Sequence, residues 1–172
     1  MARRATGRVT RTGPDGGYEM TLTRTFSAPV EDVWASLTES DRTAGWFGPW
    51  RGDARAGSTV QVQMGFEENV PWSDVRIDAC QPPRRLLVSL IDDSGEWNLE
   101  VMLSAGEHGG TLLELIQHLD DPTVAENSGP GWEYYLDMLI ASRDGLPLPE
   151  FSDYYPYQVE HFASQARSAK RS

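Results

Sequence analysis

Apolar side chains recur at every second residue along most of this chain, and at every third or fourth residue in two stretches. The shorter period marks half-buried strands and the longer one marks helices with a single buried face. Tyr18, Met20, Leu22 and Phe26 predict a strand over 17–26. Val60, Val62 and Met64 alternate with Gln61 and Gln63. Trp72, Val75, Ile77 and Ala79 belong to the next strand, which Pro82-Pro83 ends, and the run 84–91 (RRLLVSLI) forms another. Trp97, Leu99, Val101 and Leu103 alternate with Asn98, Glu100 and Met102. Leu113, Leu115 and Gln117 alternate with Leu112, Glu114, Ile116 and His118. Turn chemistry at 65–69, 92–95 and 106–110 separates these runs, so consecutive strands pair as an antiparallel meander.

The helical stretches lie near the two ends of that meander. Ser27 or Ala28 caps a first helix, Pro29 suits its first turn, and Glu31 and Asp32 complement the positive end of its dipole. Val30, Val33, Trp34 and Leu37 form its apolar face. Residues 40–44 add a second short helix, which Gly48-Pro49 terminates. Beyond Asp121-Pro122, Gly129-Pro130-Gly131 precedes a helix over 132–143, with Trp132, Tyr135, Leu136, Leu139 and Ile140 at helical spacing and Gly145 as its stop. The expected class is α+β, with a curved antiparallel sheet of about six or seven strands wrapped around this long C-terminal helix. A lone sheet needs a cover for one face, and this helix is the longest element available. Residues 1–16 read as a disordered basic tail, 17–162 as the folded domain with its Pro- and Tyr-rich end docked, and 163–172 as a second disordered tail.

Composition narrows the function. The 172 residues carry a net charge of -11, from 26 acidic and 15 basic side chains. Such a surface repels nucleic acid and anionic membranes. Positive charge gathers only at the ends, in Arg3, Arg4, Arg8 and Arg11 and in Arg167, Lys170 and Arg171. No apolar run approaches the roughly 20 residues of a membrane span, and no secretory signal is visible, so a cytoplasmic protein is expected. The single cysteine, Cys80, excludes an internal disulfide and reads as an inert thiol at a strand end. No cofactor and no metal is expected. The acidic pairs Glu67-Glu68, Asp92-Asp93 and Asp120-Asp121 match no calcium loop, and neither a Walker A nor a dinucleotide fingerprint occurs.

Four stretches carry a resemblance to a known family. They are FSAPVEDVWASLTESDRTAGWFGP, DVRIDACQPPRRLLVSL, EWNLEVMLSAGEHGGTLLELIQHLDD and GPGWEYYLDMLIASRDGLPLPEFSDYYP. Together they resemble the START-like (SRPBCC) superfamily over roughly residues 18–160, and most closely its branch similar to the C-terminal domain of the Hsp90 ATPase activator. The resemblance implies a helix-grip (Bet v 1/START-like) fold with an internal hydrophobic cavity. Its members include ligand carriers, polyketide aromatase/cyclases and hormone sensors, so the fold alone leaves the chemistry open.

The residues expected to face that cavity are Trp34, Trp46, Phe47, Val62, Met64, Trp72, Val75, Trp97, Leu99, Val101, Leu113, Leu115, Trp132, Tyr135, Leu136 and Leu139. They read either as core packing or as apolar walls around a flat or lipid-like guest, and six tryptophans in one domain suit the second reading. Gln117 interrupts the inward stripe of its strand, either to hold a polar group of a ligand or to bond backbone at the strand end. Asn98 and Glu100 lie opposite Trp97 and read as solvent-facing. His108, His118 and His161 show no spacing that suggests acid–base catalysis. The leading expectation is a protein that binds a small hydrophobic or aromatic molecule. A cyclase-like enzyme using polar groups such as Gln117 with Tyr135 or Asp74 is the alternative, and a protein-interaction module, such as a homodimer through the aromatic tail or a sheet edge, is the third.

Overall fold

The computed structural model describes residues 2–66, 69–92 and 95–172. The expected turn residues Glu67, Glu68 and Asp93 lie outside that set. The class is the expected one, α+β of the helix-grip type, with eight antiparallel strands among the described residues rather than six or seven. In chain order these are β1 (Arg8–Arg11), β2 (Tyr18–Phe26), β3 (Trp50–Arg51), β4 (Thr59–Val62), β5 (Ser73–Gln81), β6 (Arg85–Asp92), β7 (Gly95–Ala105) and β8 (Thr111–Leu119). They run β1-β2-β8-β7-β6-β5-β4-β3 across the sheet. The helices are α1 (Val30–Thr38), α2 (Ser40–Thr43), α3 (Ala125–Asp144) and α4 (Val159–Arg171). The chain divides into two compact units, a central one over Arg24–Leu115 and a terminal one made of the segment up to Thr23 with Ile116–Ser172.

In the central unit, strand register sorts the side chains. Val60, Val75, Leu90 and Trp97 stand in one cross-strand row over β4 to β7. Ile77, Val88 and Leu99 form the next row, and Cys80, Leu86 and Val101 a third. A bulge between Ile77 and Ala79 restores the apolar side for Cys80, which a strict two-residue alternation would have placed on the other face. The opposite face is polar, with Gln61 beside Asp74 and Arg76 in line with Ser89 and Asn98. The short helix α1 packs against β7, and α2 lies beside β3.

The terminal unit departs from expectation at both ends of the chain. Residues 1–16 are not a free tail: β1 pairs with β2, Val9 opposite Met20. Residues 163–172 are not free either, because α4 continues through Arg171 and buries Phe162, Ala163, Ala166 and Ala169. Polar composition hid both segments, since each becomes ordered only by packing on the other. The Thr6 and Gly7 amides donate to the Glu133 carboxylate on α3 at 2.5 and 2.8 Å. His161 Nε2 is 2.7 Å from the Gly7 carbonyl, and the Gln158 amide donates to the Arg3 carbonyl at 3.0 Å.

Helix α3 starts seven residues before the expected 132, so it runs through Gly129-Pro130-Gly131 rather than beginning after it. Proline costs a helix one hydrogen bond, and glycine costs order. Tertiary packing overrides both, because the Phe162 ring sits where a Cβ on Gly129 would be, at 2.6 Å. Gly145 ends the helix in the left-handed region, φ 65°, as its position predicts.

Candidate functional site

Helix α1 and the segment after α2 place the first aromatic group of the central unit. Trp46 is buried, its indole donates to the Ser36 carbonyl at 2.9 Å, and its ring lies 5.5 Å from that of Phe47. Trp50 is tied in the same way to the Thr38 carbonyl, also at 2.9 Å. A tryptophan with a satisfied N–H is an anchor, and the buried Trp46 and the half-buried Trp50 hold the connection between α2 and β3 in place. Gly48 completes that connection, since a Cβ there would overlap the Gln63 carbonyl oxygen. Trp34 and Phe47 remain half-buried.

The strand residues divide sharply. Leu113 and Leu115 are fully enclosed and belong to the core. Val62, Val75, Trp97, Leu99 and Val101 share the apolar face of β4 to β7 yet stay half-buried, as does Met64 just past β4. Leu86, Val88 and Leu90 complete that face from β6 and are also half-buried. The sequence assigned β6 no inward side, because RRLLVSLI has too few polar residues to phase it. Three adjacent strands therefore carry a continuous apolar surface that the fold leaves partly uncovered.

Trp72 does not join it. The Arg51 guanidinium lies 4.1 Å from its ring centroid, and Arg51 also bonds Gln61, which bonds Asp74. Trp72 thus stands with the polar row, and its one-residue step before β5 puts it on the opposite face from Val75. Asp74 is exposed on that same row, away from the apolar surface. Glu100 corrects another expectation: it lies on the face opposite Trp97 but is buried, and accepts from the Arg85 guanidinium at 2.5 Å.

The same polar face holds a linked set of charges. Arg76 donates to Asp78 at 2.5 Å, Ser89 donates to the other Asp78 oxygen, and Asn98 Oδ1 lies 2.9 Å from the Ser89 hydroxyl. Partial burial pushes the Asp78 carboxyl up, but the bonds from Ser89 and Arg76 and the arginine's charge outweigh it, so its pKa lies below the ordinary carboxylate value. The pairing raises the Arg76 pKa in turn. Glu96 stands 3.8 Å from Arg76 as well, so the serine sits among charges already paired with one another.

In the terminal unit, Tyr135, Leu136 and Leu139 are buried along α3 while Trp132 is half-buried, its ring 5.9 Å from that of Tyr135. Gln117 is 2% exposed, and its Oε1 has no hydrogen-bond partner. His118 stands 3.7 Å from Glu19, and His108 is exposed in the turn before β8. No group of three or more His, Cys, Asp or Glu side chains among the described residues is arranged to hold a metal ion. No described helix is long and apolar enough to cross a membrane.

Residues 27–142 match the family model described as activator of Hsp90 ATPase homolog 1-like protein. CalU16 from Micromonospora echinospora is similar over 95% of this chain and 99% of its own, at 29% identity and a TM-score of 0.76. DynU16, from the dynemicin biosynthetic locus, aligns over 77% of this chain and 50% of its own, at 22% identity and a TM-score of 0.64. A conserved protein from Enterococcus faecalis, EF2215, shares the fold at 17% identity over 96% of this chain and 92% of its own, with a TM-score of 0.69. No curated protein matches the sequence.

Proposed function

Because the chain belongs to the family of activator of Hsp90 ATPase homolog 1-like proteins, whose fold is one of ligand-binding domains, we propose that it binds a small hydrophobic or aromatic molecule. The observation that carries this reading is the half-buried apolar surface of β5, β6 and β7, built from Val75, Leu86, Val88, Leu90, Trp97, Leu99 and Val101. Apolar area left in contact with water is a standing cost, and a guest that covers it recovers that cost. A two-ring aromatic removing roughly 300 Å² from water, counting both partners, gains about 7.5 kcal/mol before the losses of association. That gross gain sets a ceiling in the low micromolar range, from which the losses of association weaken the affinity.

The cyclase-like alternative is weaker here. It needs convergent polar groups at the apolar surface, and Asp74 faces the other way, bonded to Gln61. Binding without chemistry asks nothing of such groups.

The test is a titration with 2-methylnaphthalene followed by tryptophan fluorescence and by melting temperature. Saturable quenching with a raised melting temperature is expected, and Val88→Glu, which sets a charge in the middle of the surface, should weaken binding at least tenfold. Wild-type protein that neither quenches nor gains stability sinks the proposal.

A further inference from the structure

In the terminal unit, the chain between α3 and α4 leaves its apolar side chains in water. Nine large apolar side chains are exposed among the described residues, and five of them, Leu146, Leu148, Phe151, Tyr155 and Tyr157, fall within residues 146–157. A loose tail would explain such exposure, but this segment is anchored. Tyr154 is fully buried, its hydroxyl donates to Asp137 at 2.7 Å, and its ring meets that of Tyr134 edge-on at 5.6 Å. The Tyr154 and Tyr155 amides both donate to the Phe151 carbonyl, at 3.0 and 3.1 Å. Phe151 and Tyr155 are thereby held as a parallel pair, with ring centroids 5.9 Å apart and planes 4° from parallel, yet they stay 45% and 42% exposed. Aromatic area that is clustered, ordered and uncovered marks an interaction surface.

Charge and an internal precedent identify what covers it. Asp144 and Glu150 stand among these residues in the chain, both are exposed, and neither forms an ion pair among the described residues. The neighbouring rings already hold one arginine. The Arg3 guanidinium lies 5.9 Å from the Tyr154 ring centroid and 3.7 Å from Asp137, and the Arg3 amide donates to the Asp153 carbonyl at 2.8 Å. A ring face with a carboxylate beside it suits arginine better than lysine, because the guanidinium is flat, forked and weakly hydrated. Phe151 and Tyr155 with Glu150 repeat those elements, and among the described residues no guanidinium lies over either ring. The two carboxylates repel nucleic acid and anionic membranes, and two copies joined face to face here would set like charges against each other.

We propose that the Phe151–Tyr155 ledge docks an arginine-bearing segment of a partner protein, with guanidinium planes on the exposed rings and Glu150 as their counter-charge. The proposal does not rest on the small-molecule reading above, since every residue it uses belongs to the terminal unit.

The probes are three capped peptides of one sequence, in which the same positions, spaced among prolines and alanines, carry arginine, lysine or citrulline. Binding to the full chain is followed by titration calorimetry at low salt. The arginine peptide is expected to bind saturably, the lysine peptide about two- to fivefold more weakly, and the uncharged citrulline peptide about tenfold more weakly. Tyr155→Ser should weaken the arginine peptide about two- to fivefold, and Glu150→Gln should weaken it and reduce its dependence on salt. Ile91→Ser, at an exposed apolar position of the central unit, should leave it unchanged. Melting curves confirm that each variant folds, and Glu150→Gln carries the comparison if Tyr155→Ser does not. Equal affinity for the arginine and citrulline peptides, no binding of either, or binding untouched by both substitutions overturns the proposal. So does a concentration-dependent dimer in light scattering that Tyr155→Ser abolishes, which assigns the ledge to a second copy.

Discussion

Single side chains decide the terminal unit's packing. The Phe162 ring is fully buried between two glycines: a Cβ on Gly7 would come within 2.6 Å of the ring, and so would one on Gly129. Helix propensity alone says that Gly129→Ala stabilises by about 1 kcal/mol. The clash says otherwise, because an enclosed ring cannot step aside, and overpacking costs about 1–3 kcal/mol. Gly129→Ala is therefore expected to lower stability by up to about 2 kcal/mol in urea denaturation, and Phe162→Ala by about 3–5 kcal/mol. A stabilised Gly129→Ala protein would show that the ring is mobile. Asp78 supplies a second residue-scale test. Its native pKa lies below the ordinary 3.8. The folded state then binds fewer protons than the unfolded state between those two values, so this contribution is complete above the unfolded value. It is lost as pH falls through the folded one. Asp78→Asn should flatten the loss of stability on acidification below about pH 4, read from denaturation midpoints. An identical acid profile in wild type and variant would remove Asp78 from the account.

Elements at the chain ends depend on one carboxylate. Glu133 is buried on α3 and receives the Thr6 and Gly7 amides and the Thr6 hydroxyl. Hydrogen bonds to a charged group contribute about 1.5–3 kcal/mol, and stranding the donors costs more than the bonds are worth. Glu133→Leu is expected to release the N-terminal segment. The Thr6, Gly7 and Val9 amides should exchange at least a hundredfold faster, and global stability should fall by about 2–3 kcal/mol. Exchange confined to its wild-type rate would mean that β1 is held by its pairing with β2 alone. At the strand level the bulge in β5 does comparable work, since it keeps Cys80 in the row of Leu86 and Val101 after Ile77 has been paired. A bulge leaves no mark in a two-residue pattern, so the sequence does not show the shift between Ile77 and Ala79.

For the whole molecule, the periodicity of apolar residues was enough to place β2 and β4 to β8, both short helices, the stop at Gly145 and the α+β class, because each depends on which side chains share a face within one element. The same pattern assigned Trp34, Phe47, Val62, Val75, Trp97, Leu99 and Val101 to inward positions. It could not say how far each would be covered, which is a property of what packs above them and is the quantity on which the binding proposal depends. The position of Trp72 was lost for a related reason: it lies outside the regular strand, and Arg51 on a neighbouring strand settles which face it joins. The two terminal segments were misread because their order is not local. Arg3 to Arg11 is too polar to bury a face of its own, and α4 after Phe162 offers only alanines. Each segment gains order from backbone and carboxylate partners more than a hundred residues away, which neither composition nor period records. What the chain wrote locally was therefore its strands, helices and their apolar sides. Tertiary contact alone decided where polar segments lock, which apolar rows stay open, and that a glutamine oxygen inside β8 is left without a donor, because each of these depends on the distance between groups that sequence order does not bring together.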